Sequence, residues 1–321
     1  MTDIVALTLN PSVDISTSLE RLEPARKLRC SATRLYPGGG GVNVARVAGR
    51  LGAGVELVYP SGGSNGQLFR RLIEGEGIPS LGIDITEETR QDLTVLERST
   101  GDEYRFVLPG PKVTEHEWQK FLEVLAGLLS HPKFVVASGS LPPGVPNDFY
   151  ARVGKIVRKL KAKFVLDTSG AALRSALDTS IYLLKPNLRE LNEYWGSELE
   201  DEGEIVDACQ KIRRDHPIDV IVTSLGAKGA LLVSSDGVWR AYSPPVRVVS
   251  TVGAGDSFLG AMVSGLTAGK SLADAFAQAV AAGTAAVLTP GTALCNSQDV
   301  STMLRQVKLQ RVKEPIKSSW A

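Results

Sequence analysis

The chain has 321 residues, 43% of them apolar and 22% charged, with 36 Lys plus Arg against 35 Asp plus Glu. This is ordinary globular composition, at a length that suits one large α/β domain or two smaller ones. There is no basic field for nucleic acid and no apolar run long enough to span a bilayer, and the three distant cysteines (Cys30, Cys209, Cys295) argue for a reducing, cytoplasmic setting rather than a disulfide framework or a zinc site.

In chain order, Ile4–Leu9 has the length of a strand, not of a signal peptide. Asn10-Pro11-Ser12-Val13-Asp14 follows it, and Asp14 either accepts hydrogen bonds from sugar hydroxyls or stabilises an Asx turn. Pro37-Gly38-Gly39-Gly40-Gly41-Val42-Asn43-Val44-Ala45-Arg46 comes next. Four consecutive glycines cost chain entropy, so they predict either a backbone that approaches something closely or a flexible tight turn. Asn43 falls in the first turn of a helix over Val42–Leu51, where its amide can reach a polyol. A strand at Val55–Tyr59 and a helix at Leu68–Glu76 follow.

Lys27–Tyr36 and Ile83–Leu108 break the alternation. The second holds β-like runs at Leu93–Glu97 and Tyr104–Leu108, read as antiparallel strands of a small sheet or lid. Lys27, Arg90 and Arg105 lie in these stretches. Each alone is a solvated charge; together on a flap they suit a phosphate. The rhythm then resumes: helices at Glu115–Leu129, Asp148–Leu160, Arg189–Trp195 and Glu204–Arg214, strands at Phe134–Ala137, Phe164–Asp167, Ile181–Leu184, Val220–Thr223 and Leu231–Val233. Such alternation implies a mostly parallel sheet covered on both faces, with ligands outside the carboxyl ends of its strands.

Lys185-Pro186-Asn187-Leu188-Arg189-Glu190 ends one strand and opens a helix. Asn187 and Glu190 fit N-cap and N3 positions, or Glu190 holds a hydrated Mg2+. Ser224-Leu225-Gly226-Ala227-Lys228-Gly229 is either a turn between strands or a wrap around a nucleotide. Ser250-Thr251-Val252-Gly253-Ala254-Gly255-Asp256-Ser257 then feeds the small-residue helix Phe258–Ala268. A glycine turn at a helix start aims N–H groups and the positive dipole end at one spot. Asp256 beside it is either an N-cap or a base that takes a proton from an attacking hydroxyl. Gly265–Ser271 mimics a P-loop but is one residue short and follows no strand; Gly269 ends one helix and Ser271 caps the next. The tail after Leu309 is charged, weakly patterned and expected to be poorly ordered.

Gly38–Arg46 and Thr251–Asp256, in that order and with Lys185–Glu190 and Ser224–Gly229 between them, resemble the PfkB/ribokinase-like carbohydrate kinases over nearly the whole chain. The resemblance implies a ribokinase-like three-layer sandwich with a mostly parallel central sheet and a small antiparallel β lid. One kinase domain would cover 1–321, with lid segments at about 14–37 and 83–108. Thr8–Asp14 looks like the branch acting on sugar phosphates: 6-phosphofructokinases, 1-phosphofructokinases and tagatose-6-phosphate kinases. Gly40, where the other two commonly carry Lys, and Ser250, where many members carry Asp, favour 6-phosphofructokinases of the minor-isozyme type. That type makes fructose 1,6-bisphosphate from fructose 6-phosphate and ATP. A tagatose-6-phosphate kinase, a 1-phosphofructokinase and, more remotely, a non-catalytic sugar-phosphate sensor remain as alternatives.

By the same resemblance, Asp256 is the base and Gly253, Ala254 and Gly255 form the anion hole. Asp14, Gly38, Gly39 and Asn43 hold the sugar, and Lys27, Arg90, Arg105 and Ser140 contact its substituents or phosphate. Lys185, Asn187, Ser224, Gly226 and Gly229 face ATP, and Glu190 organises Mg2+. Backbone oxygens around Ser250, Val252, Ala286, Thr289 and Gly291 would hold K+, although Ala293 stands where close relatives carry Arg. Lid strands from two copies would pair into a homodimer.

Overall fold

Two sheets organise the computed structural model, which describes residues 2–128 and 130–312. In chain order the elements are β1 (Ile4–Leu7), β2 (Ser12–Leu19), β3 (Arg34–Gly38), α1 (Gly40–Arg50), β4 (Val55–Ser61), α2 (Gly63–Gly75), β5 (Ser80–Asp84), β6 (Arg90–Glu97) and β7 (Glu103–Val107). Next come α3 (Glu115–Ala126), β8 (Phe134–Ser138), α4 (Phe149–Lys159), β9 (Lys163–Asp167), α5 (Gly170–Ala176), β10 (Ile181–Leu184), α6 (Leu188–Trp195) and α7 (Glu202–Asp215). The described chain finishes with β11 (Ile218–Ser224), β12 (Ala230–Ser234), β13 (Gly237–Tyr242), α8 (Ala254–Thr267), α9 (Leu272–Ala286), α10 (Ser297–Leu304) and β14 (Lys308–Val312).

The large sheet runs β14-β13-β12-β11-β10-β9-β8-β1-β4-β5. Strands from β11 to β5 pair in parallel, and β12, β13 and β14 close one edge in antiparallel fashion. β1 shows why this sheet needs helices on both sides. Val5 and Leu7 point into a core formed with α3 to α7, through residues such as Phe121, Phe149, Leu173, Leu191 and Ile205. Ile4 and Ala6 point into the opposite core, with Val44 of α1, Phe69 of α2, Leu259 of α8 and Ala279 of α9. All four β1 side chains are fully buried, so the strand reads as an unbroken apolar run. This is the expected three-layer arrangement.

The small sheet has the order β3-β2-β6-β7. Its two outer pairings are antiparallel, as expected of the lid, but the central β2–β6 pairing is parallel, with Asp14 opposite Asp92. Ile83 and Asp84 belong instead to β5 of the large sheet, so this part of the lid begins at Arg90. Residues 20–33 contain no strand, which leaves β2 up to Leu19 and Arg34–Gly38 as the β parts of the first segment. Asp14 lies within β2 rather than in an Asx turn.

Gly269 follows α8 at φ 80°, and Ser271 caps α9 by accepting from Asp274 N–H at 3.1 Å, which disposes of the P-loop look-alike. The tail forms edge strand β14 as far as Val312, so order extends past Leu309; residues 313–321 lie outside the described residues.

Candidate active site

At the carboxyl ends of the parallel strands a cavity of about 230 Å³ is lined by Gly40, Ser138, Gly139, Ser140, Asp167, Thr168, Ser169, Glu190 and Asp256. The glycine run forms one wall. Gly39 is the N-cap of α1 at φ 117°, and a Cβ on Gly41 would collide with the Leu7 carbonyl oxygen at the end of β1. Close backbone approach, not flexibility, therefore explains the run. Gly41→Ala is expected to cost about 1–3 kcal/mol or more, because the obstructing atom is main chain. Urea denaturation checks this, and an unchanged midpoint and slope would count against it.

The opposite wall is the start of α8. Gly253 is its N-cap in the left-handed region at φ 74°, where a Cβ would also strike Leu294. Ala254 N–H turns back to Thr251 O at 3.4 Å and Ser257 N–H to Gly253 O at 2.8 Å. The amides of Gly255 and Asp256 are the orphan donors of the helix end. Asp256 sits in this first turn and caps nothing; its Oδ2 accepts from Asn43 Nδ2 of α1 at 2.9 Å. Burial, with the Asp167 carboxylate nearby, pushes its carboxyl up to about 6. Asn43 is 4% exposed, and its amide nitrogen goes to this carboxylate. The two residues are 213 apart in sequence.

A charge cluster that sequence reasoning missed lies below. Asp167, at the end of β9, pairs with Lys185 Nζ at 3.0 Å and accepts from Ser138 Oγ at 3.1 Å. Burial opposes the charge on Lys185, but Asp167, Glu190 and Asp256 outweigh it and hold its ammonium above the ordinary range. The available signal was the carboxylate ending an apolar strand, with Thr168-Ser169 after it. Asn187 and Glu190 form the reciprocal capping box: Asn187 N–H donates to Glu190 Oε2 and Glu190 N–H to Asn187 Oδ1, each at 2.9 Å. Glu190 nevertheless lines the cavity, and burial together with Asp167 raises its pKa.

Three carboxylates facing one cavity leave negative charge that a cation would relieve. Among the described residues, no group of three or more His, Cys, Asp and Glu could hold a metal ion. The donor set therefore fits Mg2+ carried with water and phosphate oxygens, and does not fit an all-protein cage.

The small sheet supplies the other side. Asp14 is 6% exposed, accepts from Ser12 Oγ at 2.6 Å, and packs so tightly on Gly38 that a Cβ there would overlap its carboxylate. Burial raises its pKa against the pull of Arg105 and Arg90. Arg90 donates to Leu108 O at 3.1 Å and Asn10 O at 3.2 Å, while Asn10 Nδ2 donates to Ser140 Oγ at 3.2 Å. Arg90 Nε and Asn10 Oδ1 are buried without a partner, as are groups awaiting a polar ligand. Arg105 is exposed on β7, close enough to act electrostatically on both Asp14 and Asp256. Lys27 is exposed between β2 and β3 and shares in none of the described contacts.

Ser224 and Asn187 form a parallel bridge beside the Lys185 loop. Gly226 (φ 60°) opens, and Gly229 (φ 100°) follows, a 3₁₀ turn that joins β11 to β12, so the turn reading holds there whatever else the segment binds. In the expected K+ loop, Gly291 adopts φ 55° and Val252 N–H is taken by Ser250 Oγ at 3.2 Å. Ala286 O already accepts from Thr289 N at 3.1 Å and Thr289 Oγ1 at 2.9 Å, which leaves it the least free of these oxygens.

Among the described residues no helix is long and apolar enough to cross a membrane. A model of the pfkB family carbohydrate kinases matches residues 4–299. An ATP-dependent 6-phosphofructokinase isozyme 2 of Mycobacterium tuberculosis is 45% identical over 92% of this chain and 87% of its own length. Among solved structures, phosphofructokinase-2 from Escherichia coli in complex with potassium superposes with TM-score 0.90 at 38% identity, covering 95% of this chain and 99% of that one. The same enzyme in complex with fructose-6-phosphate gives 0.89 at 36% identity, with the same coverage.

Proposed function

This chain belongs to the pfkB family of carbohydrate kinases, and we propose that it transfers the γ-phosphoryl group of ATP to the 1-hydroxyl of fructose 6-phosphate. The observation that carries the reading is Asp256, held by Asn43 at 2.9 Å beside the free amides of α8 and inside the cavity. Asp256 takes the hydroxyl proton as the sugar oxygen attacks. Of the expected anion hole, the Gly253 and Gly255 amides, joined by that of Asp256 and with Lys185 near Gly255, receive the charge developing on the transferring group. The Ala254 amide, also expected there, turns back to Thr251 O instead. Asp14, Gly38, Gly39 and Asn43 orient the sugar, and Arg90, Arg105, Ser140 and Lys27 take its 6-phosphate. Lys185, Asn187, Ser224, Gly226 and Gly229 face the nucleotide. Glu190, with water, would hold Mg2+, which would supply charge neutralisation for the nucleotide phosphates. Backbone oxygens around Ser250, Val252, Thr289 and Gly291 would hold K+ next to the turn into α8.

ADP release with Mg·ATP, compared among fructose 6-phosphate, tagatose 6-phosphate and fructose 1-phosphate, tests the reading. The expected result is the highest kcat/KM for fructose 6-phosphate. A preference for either other sugar would move the protein to another branch of the family. Binding without turnover would favour a sensor.

The small sheet also exposes Leu35 (39%), Phe106 (47%), Val107 (57%) and Leu108 (50%) at or beside its edge strands. A second copy pairing there would cover this apolar surface and the open strand edges. Sedimentation at micromolar concentration is expected to report a dimer, and a monomer would refute it.

A further inference from the structure

Arg46 carries a full positive charge into the core of the fold, at 2% exposure on α1. Its Nε donates to Glu76 Oε1 at 2.8 Å, and Nη2 pairs with the same carboxylate, just beyond the end of α2. Its Nη1 donates to Thr292 O at 2.9 Å and to Asn43 Oδ1 at 3.4 Å. None of the sugar, nucleotide or cation contacts proposed above accounts for this side chain.

The contact with Asn43 decides more than packing. A side-chain amide can sit either way round, and its neighbours choose. A guanidinium only donates, and an ionised carboxylate only accepts. Between Arg46 on one side and Asp256 on the other, one orientation satisfies both: Oδ1 toward Arg46 and Nδ2 toward Asp256. The reverse would press oxygen on carboxylate and amide hydrogens on guanidinium. We infer that Arg46 is a positioning residue for the base, holding Asn43 in the orientation that donates to Asp256, with Glu76 anchoring Arg46 in turn. The inference rests on Asp256 being the base of the kinase reading. The other charged groups around Asp256 sit on separate elements: Asp167 at the end of β9, Lys185 after β10, Glu190 on α6 and Arg105 on β7. None of these groups is hydrogen-bonded to Arg46.

The test is a double-mutant cycle of Arg46→Lys and Asn43→Ala, read as kcat, KM and pH profile with Mg·ATP and fructose 6-phosphate. Lys keeps the charge but cannot make the same fork of contacts. Arg46→Lys is expected to lower kcat by about 10²-fold, as small misplacements of a reacting group do, with KM for ATP little changed. Its acid limb should move to higher pH, because the Asn43 hydrogen bond favours ionised Asp256. The double variant should be no slower than Asn43→Ala, since both changes act through one contact. Losses that multiply, or an acid limb identical to wild type, would overturn the inference. If Arg46→Lys does not fold, Glu76→Gln takes its place in the cycle with the same expectations. A wild-type protein inactive on every sugar phosphate would overturn the kinase reading and the relay with it; multiplying losses in an active enzyme would overturn the relay alone.

Discussion

Asp256→Asn is expected to lower kcat by about 10²–10⁴-fold, the usual contribution of a positioned general base. Nucleotide affinity and the fold should survive, because Asn keeps the volume and an acceptor for Asn43. Two pH signatures accompany the loss, with opposite signs. The carboxyl rises from an ordinary 3.8 to about 6, so wild-type turnover falls as pH drops through about 6. Its contribution to stability is full below the unfolded value of 3.8 and is lost as pH rises through about 6. At pH 8 the ionised side chain is thus a cost to the native state, and Asn removes it. Melting at pH 8 should show the variant at least as stable as wild type, with the gap closing toward pH 4. Turnover near the wild-type rate would remove Asp256 as the base; a marked fall in Tm at pH 8 would mean that it is structural.

Lys185→Met should act in the other direction on stability. Lys185 is 5% exposed and Asp167 13%, and removing one member of such a pair leaves the other charge buried and unpaired. That loss commonly costs about 3–5 kcal/mol, read by urea denaturation at neutral pH. Activity should suffer separately. Lys185 also lowers the pKa of Asp256, so its loss should move the acid limb of turnover to higher pH. A stability loss with no movement of that limb would confine Lys185 to the Asp167 pair.

What was legible in the sequence is what local geometry determines. The glycine run, the turn into α8 and Asp256 are each encoded within about ten residues, since backbone approach and helix-end chemistry are local. The alternation of apolar runs likewise exposed the parallel sheet, because strands buried on both faces read continuously. β2 was harder. Val13, Ile15, Thr17 and Leu19 do alternate with Ser12, Asp14, Ser16 and Ser18, but Asn10-Pro11 and the serines look like a turn. The parallel β2–β6 pairing also escaped. Ser12 meets Arg90 and Leu19 meets Glu97, partners far apart in the chain, and spacing alone does not fix strand direction. Asn43 and Asp256, Arg46 and Thr292, and Lys185 and Asp167 are pairs that only the closed fold brings together. Their residue types were visible, but their partners were not.

The most direct single measurement is phosphorus NMR of the protein incubated with Mg·ATP and fructose 6-phosphate. The predicted result is a second sugar phosphomonoester, on C1, accumulating in step with ADP while the 6-phosphate stays in place. ADP and inorganic phosphate without a bisphosphate, or ATP left intact, would contradict it.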